Sequence, residues 1–205
     1  MIYYSLKDGF WELVMTVEQM HSIFTHIPTL ETERLVMRRL LPSDARDMYE
    51  YASRHDLTKY LLWDPHPDIS YTADYLAYLQ ERYDIGDFFD WALVLKDSGK
   101  MIGTAGFTNF DLPNNTAEIG YVLNPTYHGR AFATEAASRV VDFGFTVLGL
   151  SRICAVCMKE NQASLGVMRK IGMSFEGTLR QAIYVKGEQR DVSLSAIVRS
   201  EYKTL

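Results

Sequence analysis

The chain has 205 residues, of which 47% are hydrophobic and 23% charged, and its formal net charge is −5 at pH 7. This length and hydrophobic content suffice for one domain with a substantial core. The acidic balance, with both signs of charge interspersed, argues against a surface for duplex nucleic acid. No apolar run approaches the ~18 residues that a membrane-spanning helix needs, so we expect neither an anchor nor a signal peptide.

Residues 1–28 carry no clear hydrophobic period, and we interpret them as an N-terminal extension that precedes a single domain over residues 29–205. Some apolar residues of this extension have the spacing of one helix face. The prediction for this stretch is therefore a short amphipathic helix, with these residues on its apolar face: Trp11, Leu13, Val14, Val17 and Met20.

The next elements are a strand and two helices. The segment TLETERLVMRRLL is typical of a strand, which Pro42 ends, and Ser43 is expected to cap the helix that follows. A second helix is predicted to begin at Ser70 and to end before Gly86, because glycine commonly terminates helices.

Three strands and a helix are predicted next. The segments FDWALVLK and MIGTAGFTNF flank the turn residues 97–100 and predict an antiparallel hairpin. The segment TAEIGYVL predicts a third strand, which ends before Pro125. Residues 133–148 then carry the clearest helical period of the chain, with apolar residues three and four positions apart on one face.

The last third of the chain predicts a strand, a helix and a hairpin. The segment SRICAVCMK is typical of a strand, Asn161 is expected to cap the helix QASLGVMRKI, and Gly172 is expected to end that helix. Two further strands flank a turn at Lys186 and Gly187. This order of elements predicts an α/β fold whose mixed, mainly antiparallel sheet of about seven strands carries helices on both faces.

Cys154 and Cys157 form a C-x-x-C pattern, which can indicate a redox or zinc site. Here both cysteines lie in a predicted strand, where residues three apart point to opposite faces and cannot chelate one ion. We therefore expect two buried structural thiols, no bound metal and a reducing, cytoplasmic location.

Residues 120–136, with the sequence GYVLNPTYHGRAFATEA, combine the end of a strand, a loop of small residues and the start of a helix. The first N–H groups of a helix lack partners, and the helix dipole is positive at this end. Such a loop can seat a phosphate or pyrophosphate. The alternative is a structural turn, because strand-to-helix turns with glycine are common.

The segments EIGYVLNPTYHGRAFATEA and MKENQASLGVMRKIGMSFEGTLRQAIYVKGEQRD resemble the GNAT acetyltransferases, and in particular the branch that includes the ribosomal-protein N-terminal acetyltransferases. The resemblance extends from the strand near residue 29 to the last strand and agrees with the predicted order of elements. It implies acetyl-CoA as the cosubstrate, an amine as the acceptor and no metal.

The resemblance also implies which residues bind acetyl-CoA. Residues 128–133 would form the pyrophosphate loop, the backbone of residues 122–123 would pair with the pantetheine arm, and Asn161 would donate a hydrogen bond to that arm. Two loop positions depart from the family pattern: His128 replaces glutamine or arginine, and Ala131 replaces a glycine, so that its methyl group either crowds the phosphates or requires a negative φ. The full set is Val122, Leu123, His128, Gly129, Arg130, Ala131, Phe132, Ala133, Thr134, Asn161 and Ser164.

Direct acetyl transfer requires a neutral amine, because an ammonium group has no lone pair. Glu118, in the strand that leads into the cofactor loop, is the predicted base, and the alternative is a solvated glutamate in an ion pair. By the same resemblance, Ser164 is expected near the thiol of the cofactor. In some relatives a tyrosine protonates the departing thiolate, and this chain has Met168 at that position. The donor of this proton therefore stays open among Ser164, Tyr184 and water.

These features predict an N-acetyltransferase whose first acceptor hypothesis is a protein N-terminus of the ribosomal type. Two alternatives stay open. One is a small amine such as a polyamine or aminoglycoside, and the other is a non-catalytic acyl-CoA-binding module, which the departures at Ala131 and Met168 would explain. Trp63, Asp64 and His66 lie in a loop that either shapes the acceptor side or simply packs. Neither nucleic acid nor a membrane is expected as a partner, and a homodimer is compatible with the sequence.

Overall fold

The computed structural model describes the backbone of residues 4–7 and 10–13 and the whole of residues 15–203. The first two segments are strands β1 (Tyr4–Lys7) and β2 (Phe10–Leu13), which pair antiparallel. Helix α1 (Val17–Thr25) follows and begins with a capping box at Thr16. The predicted helix is therefore correct for Val17 and Met20 and wrong for Trp11 and Leu13, while Val14 lies outside the described residues.

The central sheet has eight strands in the order β3-β4-β5-β6-β7-β8-β10-β9. All neighbours pair antiparallel except β7 and β8, which are parallel. The first predicted strand is divided in two by a tight turn, in which the Leu35 N–H donates to the Thr32 hydroxyl over 3.0 Å. The strands are β3 (Leu30–Glu31), β4 (Leu35–Arg38), β5 (Asp90–Leu95), β6 (Met101–Asp111), β7 (Thr116–Leu123), β8 (Arg152–Met158), β9 (Ser174–Val185) and β10 (Glu188–Val198).

Helices cover both faces of this sheet, as the sequence predicts. On one face, α1, α5 and α6 pack on an aromatic core that includes Phe24, Trp91 and Phe143. On the other face, α2 and α4 pack on a smaller core around Tyr51 and Tyr83. The helices after α1 are α2 (Ala45–Ala52), α3 (His55–Thr58), α4 (Ile69–Asp84), α5 (Phe132–Thr146) and α6 (Gln162–Lys170).

Two predicted helix caps are wrong. Ser43 lies inside a short 3-10 turn before α2, where the carboxylate of Asp44 binds Arg38 and the N–H of Leu41 instead. Helix α4 is capped by Asp68, whose carboxylate accepts from the Tyr71 N–H over 2.8 Å, because Asp68 and not Ser70 has the extended backbone of a cap. The predicted Asn161 cap of α6 is confirmed.

The parallel pair β7 and β8 is joined over a short distance only. The ladder runs from Thr116 to Glu118 on β7 and from Arg152 to Cys154 on β8. Both strands continue beyond this ladder, to Leu123 and Met158 respectively. Their facing edges therefore diverge and leave backbone groups of β7 free on that side, in the middle of the sheet.

Within the described part of the chain, no helix is both long and apolar enough to cross a membrane.

Candidate active site

A cavity of about 630 Å³ lies where β7 and β8 diverge. Its walls are the end of β7, the loop into α5, the first turns of α6 and residues from 56 to 61 around α3. This volume is in the range of small-molecule sites, and the position between two diverging strands exposes backbone as well as side chains. The cavity is therefore the candidate cofactor site.

All of the predicted cofactor-binding residues except Arg130 line this cavity. The structure thus brings together the end of β7, the loop at residues 128–134 and the start of α6, which are separate in sequence. The guanidinium of Arg130 lies 5.6 Å from the ring of Tyr127, and Arg130 is exposed. Its side chain is therefore not among the walls, because it stacks on the outer side of the loop.

The loop before α5 contains two residues in the left-handed region, Gly129 with φ 75° and Ala131 with φ 64°. Of the two alternatives for Ala131, the negative φ is wrong, and a left-handed alanine costs about 1 kcal/mol. Ala131 is the N-cap of α5 and offers no side-chain acceptor. The N–H groups of residues 132–134 therefore have no hydrogen-bond partner within the described chain and are free to bind an anion.

Arg34, in the turn just before β4, holds this loop in place. Its guanidinium donates to the Arg130 carbonyl over 3.0 Å and lies 4.2 Å above the ring of Phe132. It also pairs with Glu135 of α5, whose carboxylate accepts from the Thr32 hydroxyl and from the Arg34 N–H. These contacts fix the loop and the first turn of α5 relative to the sheet, which offsets the strain at the cap. Sequence analysis missed Arg34.

The end of β7 is tied to the same loop. The Nε2 atom of His128 lies 2.9 Å from the Leu123 carbonyl oxygen. Asn124 is fully buried, and its amide donates to the Glu50 carboxylate of α2 over 2.9 Å. The end of β7 and the loop are thus positioned as one unit. His128, which departs from the family pattern, connects the two through its contact with the Leu123 carbonyl.

A pair of hydroxyl groups lies in the cavity wall opposite the loop. The Tyr121 hydroxyl is 3.0 Å from Oγ of Ser164 and 3.1 Å from the Ser164 carbonyl oxygen. The Ser164 N–H donates to the Asn161 side chain over 3.1 Å, so Asn161 caps α6 and orients Ser164. Burial raises the pKa of Tyr121, which therefore stays protonated and can donate a hydrogen bond.

Tyr121 is a candidate proton donor that sequence analysis did not name. Of the candidates predicted from the sequence, Tyr184 is 70% exposed on β9 and is not among the cavity walls. Met168, which replaces the tyrosine of some relatives, is buried in the core. Ser164 lines the cavity beside Tyr121. The alternation along TAEIGYVL indicated only that Tyr121 shares a face with Ile119, and a contact with α6 is not visible in that pattern.

Glu118 lies on the opposite face of β7 from Tyr121 and is not part of the cavity wall. Its carboxylate accepts from the Thr108 hydroxyl over 3.2 Å. Burial raises the pKa of this half-buried carboxyl above its ordinary value, and the bond from Thr108 partly counteracts the shift. The alternative of an ion-paired glutamate is not observed, since Glu118 pairs with no Lys, Arg or His of the described chain.

The loop that contains Trp63, Asp64 and His66 forms a packed aromatic group beside α4. His66 is buried, its Nδ1 atom lies 2.9 Å from the Thr72 hydroxyl, and its ring contacts Trp63 and Tyr71. Burial lowers the pKa of His66. Asp64 is exposed and lies 3.7 Å from Lys186, and none of the three predicted residues lines the cavity.

Cys154 and Cys157 are both free and both half-buried on β8, rather than fully buried as expected. Burial raises the pKa of each thiol, which disfavours the reactive thiolate. Among the residues that the structure describes, no group of three or more His, Cys, Asp or Glu side chains is arranged to hold a metal.

Comparison with known proteins identifies this arrangement. Residues 34–174 match the model of the acetyltransferase (GNAT) domain. The chain is 34% identical to the uncharacterized N-acetyltransferase p20 of Bacillus licheniformis, over 85% of this chain and 98% of that protein. It is 26% identical to the spermidine N(1)-acetyltransferase of Escherichia coli, over 81% of this chain and 87% of that enzyme.

Among solved structures, the ribosomal-protein-S5-alanine acetyltransferase of Vibrio fischeri has a TM-score of 0.72 and 25% identity. The match covers 86% of this chain and all of that one. The domain match, the relatives and the diverging parallel strands agree, and we conclude that the chain belongs to the GNAT acetyltransferase family and is an N-acetyltransferase.

Proposed function

We propose that the protein transfers the acetyl group of acetyl-CoA directly to a primary amine, with the cofactor bound in the cavity between β7 and β8 and Glu118 acting as the base. The observation that carries this proposal is the pairing of two features in one cavity. Free N–H groups of α5 lie at one end, and the hydroxyl pair of Tyr121 and Ser164 lies in the wall formed by β7 and α6.

The residues present suit acetyl-CoA. The N–H groups of residues 132–134 would hold the pyrophosphate, because helix N-termini bind anions through unpaired donors and the helix dipole. The free β7 edge at residues 122–123 would pair with the amide groups of the pantetheine arm, as one strand pairs with another. When bound, acetyl-CoA supplies an activated acyl group as a thioester.

Glu118 would take the proton that the amine must lose, directly or through water. A carboxylate whose pKa is raised by burial is a stronger base than that of an exposed glutamate. The Tyr121 and Ser164 hydroxyls would donate hydrogen bonds to the sulfur as the thioester bond breaks, which stabilises the developing negative charge.

The acceptor hypothesis of a ribosomal-type protein N-terminus draws support from the likeness to the S5-alanine acetyltransferase. The small-amine hypothesis draws support from the spermidine acetyltransferase relative and from the negative charge of this chain. The cytoplasmic location, the homodimer and the division of the chain at residue 28 stay predictions.

A thermal-shift titration with acetyl-CoA, followed by thiol-release assays, tests the proposal. We expect acetyl-CoA to raise the melting temperature. We also expect one class among N-terminal peptides, polyamines and aminoglycosides to accelerate thiol release. Stabilisation without release by any acceptor would favour the non-catalytic acyl-CoA-binding module, and absence of stabilisation would contradict the proposed cofactor site.

A further inference from the structure

A row of residues crosses three strands on the face of the sheet that carries Glu118. Asp90 on β5 pairs with Gly106 on β6, and Gly106 pairs with Gly120 on β7. Directly paired residues share a face of the sheet, and so do residues two apart on one strand. Asp90 and Glu118 therefore face the same side. The two positions between them are glycines, and the methyl group of Thr108 lies against Gly120.

The Asp90 carboxylate lies over Gly106. Its Oδ1 atom is 2.2 Å from the place that a Cβ on Gly106 would occupy, and the Phe89 carbonyl oxygen is 2.3 Å from the same place, so this position requires glycine. No hydrogen bond or ion pair joins this carboxylate to another described residue. Burial raises the pKa of Asp90 to about 7.

The surroundings of Asp90 leave its charge without compensation. A largely buried carboxylate that lacks a protein partner is costly, and a bound ligand, ion or water is the usual explanation for one. The carboxylate oxygens of Asp90 keep some exposure to solvent. Among the described side-chain nitrogen and oxygen atoms, only Nε of Arg82 is both fully buried and without a hydrogen-bond partner. The carboxylate is thus open to a small cation.

Tyr75 of α4 faces the same region. Its hydroxyl makes no hydrogen bond with another described residue, and its ring lies 5.8 Å from the ring of His66. Burial and, after it, the nearby charge of Asp90 raise the pKa of Tyr75 to about 12. A carboxylate beside an aromatic ring with a free hydroxyl is a combination that binds ammonium groups well.

We propose that Asp90 binds a second positive charge of the acceptor, so that the substrate is a linear aliphatic diamine or polyamine whose other amine reacts beside Glu118. This inference rests on the proposed function and assigns its substrate class. A peptide N-terminus or a monoamine would leave Asp90 without a partner.

The spacing fits such a chain. The Asp90 carboxylate lies over Gly106 of β6, about 4.8 Å from β7, and Glu118 lies two residues, about 6.8 Å, along β7 from the paired Gly120. The two acidic positions are therefore roughly 8 Å apart. An ammonium group hydrogen-bonded at about 2.8 Å to each carboxylate leaves room for a short, bent chain of methylenes such as that of putrescine.

The test compares putrescine with butylamine, which has the same carbon chain and lacks the second amine. Thiol release is measured at saturating acetyl-CoA and about pH 8, where Asp90 is ionised. We expect the wild type to favour putrescine by about tenfold or more in kcat/KM. Asp90→Asn is expected to raise KM for putrescine about tenfold and to leave butylamine unchanged, which a general structural defect would not do.

Asp97→Asn is the matched control, because Asp97 is exposed in the β5–β6 turn and the substitution removes the same charge. It should alter neither acceptor. Calorimetric binding of putrescine to the CoA-bound protein provides a second measurement without turnover, and Asp90→Asn should weaken it about tenfold.

Equal kinetics of wild type and Asp90→Asn, or an equal loss with both amines, would overturn the assignment of Asp90. A preference for an N-terminal peptide over putrescine would overturn it as well, while leaving the acetyltransferase proposal intact. Absence of thiol release with every amine would refute the proposed function itself, and the role of Asp90 with it.

Discussion

The two sides of the candidate site are built in opposite ways. On the cofactor side, Arg34, Glu135 and Thr32 form a closed set of hydrogen bonds that holds the loop before α5. On the Glu118 face, the side-chain polar groups of Asp90 and Tyr75 have no hydrogen-bond partner within the described chain. We infer that the protein pre-organises the side for acetyl-CoA. The side for the acceptor amine keeps its polar groups free for the substrate.

Replacing Glu118 should have the largest effect. Glu118→Gln keeps the shape and removes the base, so kcat/KM for the amine should fall by about 10²-fold or more while acetyl-CoA binding stays nearly unchanged. Steady-state thiol release and calorimetry measure the two quantities. Glu81→Gln on the exposed face of α4 is the control. Nearly full activity of Glu118→Gln would mean that the base lies elsewhere.

The same residue predicts a pH dependence. The active form of Glu118 is the carboxylate, and burial raises its pKa above the ordinary 4.5. Activity should therefore be lost as the pH falls through this raised pKa, in addition to the loss caused by protonation of the acceptor amine. Profiles of kcat/KM against pH should show this additional loss of activity at low pH in the wild type. If Glu118→Gln shows the same loss, another group causes it.

On the cofactor side, Arg34→Met should release the loop before α5 without touching the acceptor face. Because charge-assisted hydrogen bonds contribute about 1.5–3 kcal/mol, KM for acetyl-CoA should rise about tenfold or more. Acetyl-pantetheine lacks the pyrophosphate, so its kinetics should not change. Arg46→Met, at an exposed position of α2, is the control. An equal loss with both thioesters would mean that Arg34 maintains the fold and does not position the loop.

The smallest effect should be on stability, and it should be a gain. The pKa of Asp90 is raised from 3.8 to about 7, so its carboxylate costs stability as the pH rises through that interval. Asp90→Asn should match the wild type at about pH 4 and exceed it in free energy of unfolding at about pH 8. Denaturant titrations at both values measure this, with Asp97→Asn as the control. A loss of stability at about pH 8 would show that the charge has a protein partner.

The cofactor loop was predictable because its signals are local. Gly129 and the small residues around it mark a turn, and Asn161 marks the start of α6, so these positions follow from short stretches of sequence. The conformation of Ala131 did not follow, because the loop that contains it is held by Arg34, which donates to the carbonyl of Arg130, 96 residues away. Long-range pairing of this kind leaves no pattern in the neighbouring residues.

The acceptor face was predictable only in part. Glu118 follows from alternation within one strand, whereas Asp90 looks like an ordinary polar residue at the start of a strand until the register of three strands is known. The N-terminal stretch failed for another reason. The apolar spacing of Trp11 and Leu13 suits a strand as well as a helix, and the structure places both in β2.

The most direct test of this two-sided account is a crystal structure of the protein with CoA and putrescine. The account predicts the pyrophosphate at the N–H groups of residues 132–134, one putrescine nitrogen within hydrogen-bonding distance of Glu118 and the other at Asp90. Putrescine bound away from both carboxylates, or CoA bound outside the cavity between β7 and β8, would contradict it.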